Sequence, residues 1–206
     1  HAFFGRADAA EWVHERLSVS FRLTPPLATL VNAIKAGEPL VAGNTTGLAP
    51  SPTIMTCGLM EWRQKLLPIV MQLTREYRLE RIAILVRSVK ASLAAVRTFI
   101  NAITAAGIPV YVHGMDSPAP NVRRGKIVVC TYYAAKGLTF DACISIGASE
   151  GSDTNPLYVA TSRSRCYQVL VLDRTRPPRR LLNALAGGKV KAVMCQNTKT
   201  VVTYGY

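Results

Sequence analysis

The sequence predicts an α/β layered fold, a mainly parallel central sheet flanked by helices, on three observations. Compact apolar runs rich in β-branched residues recur along the chain, among them RIAILVRS, IPVYVHG, KIVVC and QVLVLD. Segments with apolar residues at helical spacing stand between them. The 206 residues, 49% hydrophobic and 18% charged, suffice to bury a core of that architecture. Continuous apolar strands are those covered on both faces, and strands alternating with helices pair in parallel through crossovers.

In order along the chain, HAFFGRADAAEWVHERL mixes aromatics and charges at helical spacing, with Phe4, Ala9, Trp12, Val13 and Leu17 as candidate buried positions. A brief apolar piece follows. Thr24 then reads as an N-cap, Pro25 as a first-turn residue, and Leu27, Leu30, Val31 and Ile34 as one helical face, so Arg22 falls just before a helix start. Residues 35–58 are rich in Gly, Pro, Thr and Ser without a strong period, which predicts loop with one short strand. Helical spacing resumes over 59–77, and the run at 81–88 is a buried strand. An amphipathic helix over 92–107, ended by Gly107, and a strand over 108–114 complete a βαβ-like unit. After a polar loop, KIVVCTYYAAKGLTFDACISIG predicts strand, tight glycine turn and second strand. A helix over 157–165 and a strand over 168–173 follow; beyond Asp173 come RTRPPRR, a helix-like LLNALAGG and a Thr-rich end, and the chain has no internal repeat.

Lys plus Arg number 25 against 12 Asp plus Glu, a formal net charge of +13, which points to a polyanionic partner. Five cysteines (57, 130, 143, 166, 195), odd in number and never spaced C-x-x-C, argue against a disulfide framework or a zinc cluster and for a reducing compartment. Three widely separated histidines (1, 14, 113) give no metal set and no serine triad. With no apolar run of membrane-span length and no signal-like opening, the expectation is a soluble, intracellular protein without a membrane partner, cytoplasmic or nuclear. His1 in place of an initiator Met leads us to expect a piece or processed product of a longer protein.

Two stretches carry chemistry. VCTYYAAKGLTFD (129–141) follows one strand and precedes another, and NPLYVATSRSR occupies 155–165. They resemble motifs V and VI of superfamily 1 helicases of the UvrD/Rep type, whose patterns are near T-x-H-x-A-K-G-L-E-F-D and Y-V-A-x-T-R-A. Upstream, SFRLT (20–24) resembles the N-Y-R-S segment of motif IV, ERIAILVRS resembles the strand that follows it, and AFFGRADAAEW resembles the stretch after motif III. The resemblance runs in family order over roughly 2–173 and covers the second RecA-like domain. It implies a RecA-like three-layer fold over 1–173, holding motifs IV, V and VI, with 174–206 as a basic C-terminal extension.

The phosphate-binding half of such an enzyme is not in the sequence. A Walker A loop needs G-x-x-x-x-G-K-[ST], because backbone N–H groups cradle the phosphates while the Lys and hydroxyl serve the γ-phosphate and Mg²⁺. AGNTTG (42–47) has the glycines without the Lys and reads as loop, and no Walker B strand ending in paired acids is present. The resemblance therefore implies that ATP and Mg²⁺ bind only in the intact enzyme, with Mg²⁺ held by an upstream first RecA-like domain, and that this fragment alone is inactive.

The resemblance also assigns roles. Arg22 and Arg163 are directed to the γ-phosphate, Arg163 as the arginine finger, and Phe21 stands where the family stacks an aromatic on the base. Gly137 and Thr139 belong to the nucleotide side, Thr139 replacing the family's Glu. Arg87, Thr131, Tyr133 and Lys136 are directed to single-stranded nucleic acid, DNA or RNA, with Tyr133 replacing the usual His and Val89 a frequent Asn. Read without the resemblance, Arg22 is a solvated arginine, Phe21 a core aromatic, Lys136 and Gly137 a surface turn, and Asp141 a turn anchor or an exposed strand-end carboxylate. Tyr132 and Tyr133 alternate along a strand, so at least one is packed. Arg174, Arg176, Arg179 and Arg180, like Arg123, Arg124 and Lys126, are either solvated or phosphate-tracking.

About a dozen residues join the strand at 108–114 to motif V, a length typical of plain connections, where UvrD/Rep helicases insert an accessory domain. That compactness and Thr139 resemble viral and RNA-type members, whose setting is viral replication. The expected function is the C-terminal motor domain of an ATP-dependent superfamily 1 helicase. The competing readings are a non-catalytic RecA-like nucleic-acid-binding module and a protein-interaction domain whose charge only solubilises it.

Overall fold

The structure, a computed structural model, describes residues 18–35, 38–44, 49–87, 93–114, 123–148, 154–173, 177–190, 192–197 and 200–204. The helix expected over the opening residues, with Phe4 to Leu17, lies outside the described residues. In chain order the elements are β1 (Val19–Ser20), α1 (Pro25–Ile34), β2 (Val41–Ala42), β3 (Thr53–Thr56), α2 (Trp62–Glu76), β4 (Ile82–Val86), α3 (Leu93–Ala105), β5 (Val110–Val112), β6 (Ile127–Thr131), β7 (Phe140–Ala148), α4 (Thr154–Thr161), β8 (Ser164–Leu172), α5 (Arg179–Ala186), β9 (Ala192–Asn197) and β10 (Thr200–Tyr204). Short 3₁₀ turns at Leu59–Glu61 and Leu79–Arg81 precede α2 and β4.

Period-two alternation with both faces apolar dictates the layering. In β4, Ile82, Ile84 and Val86 face one side, where Trp62, Leu66, Val70 and Leu73 of α2 and Val96, Phe99 and Ile103 of α3 recur at helical spacing and close the layer. Ala83 and Leu85 face the other side, against Ala160 of α4 and the Tyr132 and Ala135 side chains. On that side Leu30 and Ile34 of α1 and Leu181 and Leu185 of α5 cover Ile54, Leu170 and Leu172. The result is the expected RecA-like three-layer α/β arrangement.

The large sheet has the order β10-β9-β3-β8-β7-β4-β6-β5. The six strands from β3 to β5 are mutually parallel. β9 joins β3 in parallel and β10 returns antiparallel, so α5, β9 and β10, all beyond Asp173, add to the same layers. β1 and β2 form a separate parallel pair.

Four features differ from the sequence reading. The described residues of 35–58 hold two strands, and one of them, β3, sits inside the sheet between β8 and β9. At four residues, between Pro52 and Gly58, it is too short to show a period. The helix expected over 157–165 stops at Thr161: Ser162 N donates to Tyr158 O to close its last turn, and Arg163 O accepts from Phe140 N, which converts the backbone to sheet. The glycine-turn unit at 127–148 is a crossover, since β4 lies between β6 and β7. Thr24 occupies the N-cap without making a side-chain cap bond. Pro26, at the second helical position, removes one of the N–H groups a cap would serve, and the Thr24 hydroxyl is buried without a partner. Among the described residues no helix is long and apolar enough to cross a membrane.

Candidate functional site

The site is built where α1 and α4 meet. Tyr158 of α4 packs against the cluster of Leu23, Leu27, Ala28 and Val31, which brings the segment before α1 to the end of α4. Arg22 comes from the first and Arg163 from the turn between α4 and β8. The Arg163 side chain is buried, its Nε donating to Val159 O (3.2 Å), Nη1 to Leu138 O (3.4 Å) and Nη2 to Ser162 Oγ (2.8 Å). Burial, and next the positive charge of Arg22, hold the Arg163 pKa below its ordinary value, and an arginine so shifted still carries its charge at neutral pH. Arg22 Nε is buried without a hydrogen-bond partner. Among the described residues neither arginine pairs with a carboxylate. Two guanidinium groups close enough to repel, with no counter-charge among the described residues, favour an anion between them.

Phe21, beside Arg22, is 79% exposed, so it is not a core aromatic. Its ring rests on Gly43, where an added Cβ would lie 2.7 Å from Phe21 Cδ1. Gly43 thus seats the ring and leaves it open on its outer side.

A buried polar chain fixes the turn that carries Arg163. Ser164 Oγ donates to Gln168 Oε1 (3.0 Å), Gln168 Nε2 donates to Ser145 Oγ (2.9 Å) and to Val169 O (2.9 Å), and Ser145 Oγ donates to Ala160 O (2.9 Å). All three side chains are fully buried, and they tie the last turn of α4 to β7 and β8 on either side of Arg163. Sequence reasoning passed over them, because Gln168 and Ser145 look like polar interruptions in apolar strands.

The connection 132–139 carries the other predicted residues from one end of the sheet to the other. It begins after β6, where Tyr132 N donates to Val86 O, and coils through Ala135 N to Thr131 O and Leu138 N to Ala135 O. Gly137 adopts φ +86°, with nothing within 4 Å of where a Cβ would be. Gly137→Ala is therefore expected to cost only the left-handed backbone strain, about 1 kcal/mol, read as a melting-temperature drop of roughly 2–4 °C. Thr139 leads into Phe140, whose partner across the sheet is Ser164. Gly137 and Thr139 thus lie at the arginine end.

Arg87, Thr131 and Tyr133 lie at the opposite, carboxyl end, since Val86 pairs with both Thr131 and Ile146. The run from Phe140 to Ile146 separates the two groups by about 20 Å. Tyr132 and Tyr133 lie in the turn beyond β6 and not along a strand, yet one of the two is packed as expected: Tyr132 is buried and donates to Ile146 O (2.6 Å), whereas Tyr133 is 87% exposed. Thr131 Oγ1 accepts from Ala134 N (3.1 Å) and so steadies the turn. Lys136, exposed, stands between the two groups. Asp141 binds Arg165 Nε at 2.6 Å, a strand-to-strand pair between β7 and β8.

Cys57, Cys130, Cys143 and Cys166 are free thiols, and burial pushes Cys130 up to about 12, which makes it a poor nucleophile. Among the described residues no group of three or more His, Cys, Asp or Glu is placed to hold a metal ion.

No family model and no curated protein matches the chain. Among solved structures it is similar to the C-terminal domain of a possible DNA helicase from Lactobacillus plantarum WCFS1, with a TM-score of 0.56 and 20% identity, over 79% of this chain and 92% of that one. At that identity the likeness is one of fold.

Proposed function

We propose that the chain is the second RecA-like motor domain of an ATP-dependent superfamily 1 helicase, supplying arginines to the nucleotide and contacts to a single strand. The observation that carries this reading is the charge coupling of Arg22 and Arg163 where α1 meets α4, with no carboxylate partner for either among the described residues, and the exposure of Phe21, next in the chain to Arg22. A cationic pair and an exposed aromatic one residue from it in the chain suit a nucleoside triphosphate, its base on Phe21 and its terminal phosphate at the guanidinium forks. Support also comes from the order of the motifs along the chain and from the fold shared with the C-terminal domain of a possible DNA helicase.

In this reading ATP binds between Arg22/Arg163 and a Walker-bearing first domain. Arginines donate hydrogen bonds and do not ligate cations, so Mg²⁺ accompanying the nucleotide is held by that other domain. Charge developing on the transferred phosphoryl group is met by the Arg163 guanidinium, which Val159 O, Leu138 O and Ser162 Oγ pre-orient. About 20 Å away, Tyr133 offers a face for a base and Arg87 a charge for a phosphate. Closing and opening of the two domains couples the ends.

The test is ATP turnover by the chain joined to its Walker-bearing segment, with and without single strands. Turnover that needs both halves and rises with strands is the expected result. Salt-dependent strand binding with no turnover would replace the motor by a non-catalytic binding module.

A further inference from the structure

We propose that Met60 is a second base contact on the single-strand track, at the far side of the sheet from Tyr133; this rests on the reading of the chain as a strand-binding motor domain. Three large apolar side chains among the described residues are more than two-thirds exposed. Phe21 is at the arginine end. The other two, Met60 at 93% and Tyr133 at 87%, both follow the carboxyl ends of strands, β3 and β6.

The exposure of Met60 is built. It lies in the 3₁₀ turn Leu59–Glu61, where Glu61 N donates to Gly58 O (3.0 Å) and Gly58 N donates back to Glu61 Oε2 (3.4 Å). Lys65 Nζ pairs with Glu61 Oε2 at 2.8 Å, which offsets the one acidic charge of the turn. Buried Cys57 precedes the turn, and buried Trp62 follows it, set edge-on to Phe99 with 6.3 Å between ring centroids. Met60 is thus held outward between two anchored residues.

Its place in the sheet supplies the ligand class. From β3 to β6 the order is β3-β8-β7-β4-β6, four steps or about 19 Å, and exposed Arg87 follows the intervening β4. Met60, Arg87 and Tyr133 therefore line the carboxyl ends as apolar, cationic and aromatic contacts. Two base-facing groups flanking a phosphate-facing one fit an extended single strand crossing the sheet end. The flexible thioether packs on any base, which gives contact without sequence preference. The net charge of +13 on the whole chain favours a polyanionic partner.

The test is fluorescence-anisotropy titration of the full 206-residue chain with labelled oligo-dT and oligo-U over a range of salt concentrations. Met60→Ala is expected to weaken binding about 5- to 10-fold with the salt slope unchanged, and Met60→Trp to restore it. Arg87→Ala should instead flatten the slope by roughly 0.7, one phosphate contact on a single strand. Wild-type affinity in Met60→Ala, with Tyr133→Ala weakened, would overturn the Met60 contact and leave strand binding standing. No salt-sensitive binding by the wild-type chain would overturn both.

Discussion

Arg163→Ala, in a protein that joins this chain to a Walker-bearing domain, is expected to lower strand-stimulated ATP turnover by about 10³- to 10⁵-fold. ATP affinity should change little. The reason is that charge on the transferred phosphoryl group grows only on the way to the transition state, so the guanidinium contributes mainly there. Three hydrogen bonds, to Val159 O, Leu138 O and Ser162 Oγ, already fix its orientation, so little ordering remains at the moment of reaction. Arg163→Lys should recover little of the loss, because an ammonium cannot reproduce the planar fork. Steady-state kinetics beside equilibrium nucleotide binding separate the two quantities, and turnover at the wild-type rate would remove Arg163 from the chemistry.

The second large effect is on stability. Gln168→Met keeps the side chain's length but deprives Ser164 Oγ of its acceptor and Ser145 Oγ of a donor, where all three side chains are fully buried. Buried polar groups left unpaired cost about 1–3 kcal/mol each, so a loss near 3 kcal/mol and a melting-temperature drop of roughly 6–12 °C are expected. Ser164→Ala in the same chain should return part of that loss, because it removes the orphaned hydroxyl. Thermal unfolding of the single and double variants forms a cycle whose coupling reads the bond directly. Additive losses would mean that the two side chains do not share a bond.

Long apolar runs were legible because a strand covered on both faces has no polar alternation to hide it. β4, with all five residues buried, and the i, i+3, i+7 pattern of Val96, Phe99 and Ile103 are of this kind. β3 was not, since its place is set by β8 and β9 on either side and by nothing in its own four residues. The strand ending of the chain was hidden for a related reason: β9 and β10 depend on pairing with β3 and with each other. At the site, the motifs located Arg22 and Arg163, but their proximity depends on Tyr158 packing onto α1. Gly43 reads as an ordinary loop glycine until the ring of Phe21 is placed on it. Gln168 reads as the polar start of an apolar strand until its register opposite Cys143 brings its amide to Ser145. What escaped the sequence is contact between segments remote in the chain.

A double-mutant cycle on ATP turnover tests most directly whether Arg22 and Arg163 act together on one phosphate. Arg22→Ala, Arg163→Ala and the double variant would be compared in the joined protein at saturating single strand. Residues that act as a unit lose activity non-additively, so the double variant should fall within about tenfold of Arg163→Ala alone. Losses that multiply, or an Arg22→Ala variant with wild-type turnover, would contradict a shared anion and with it the nucleotide-facing role of this end of the sheet.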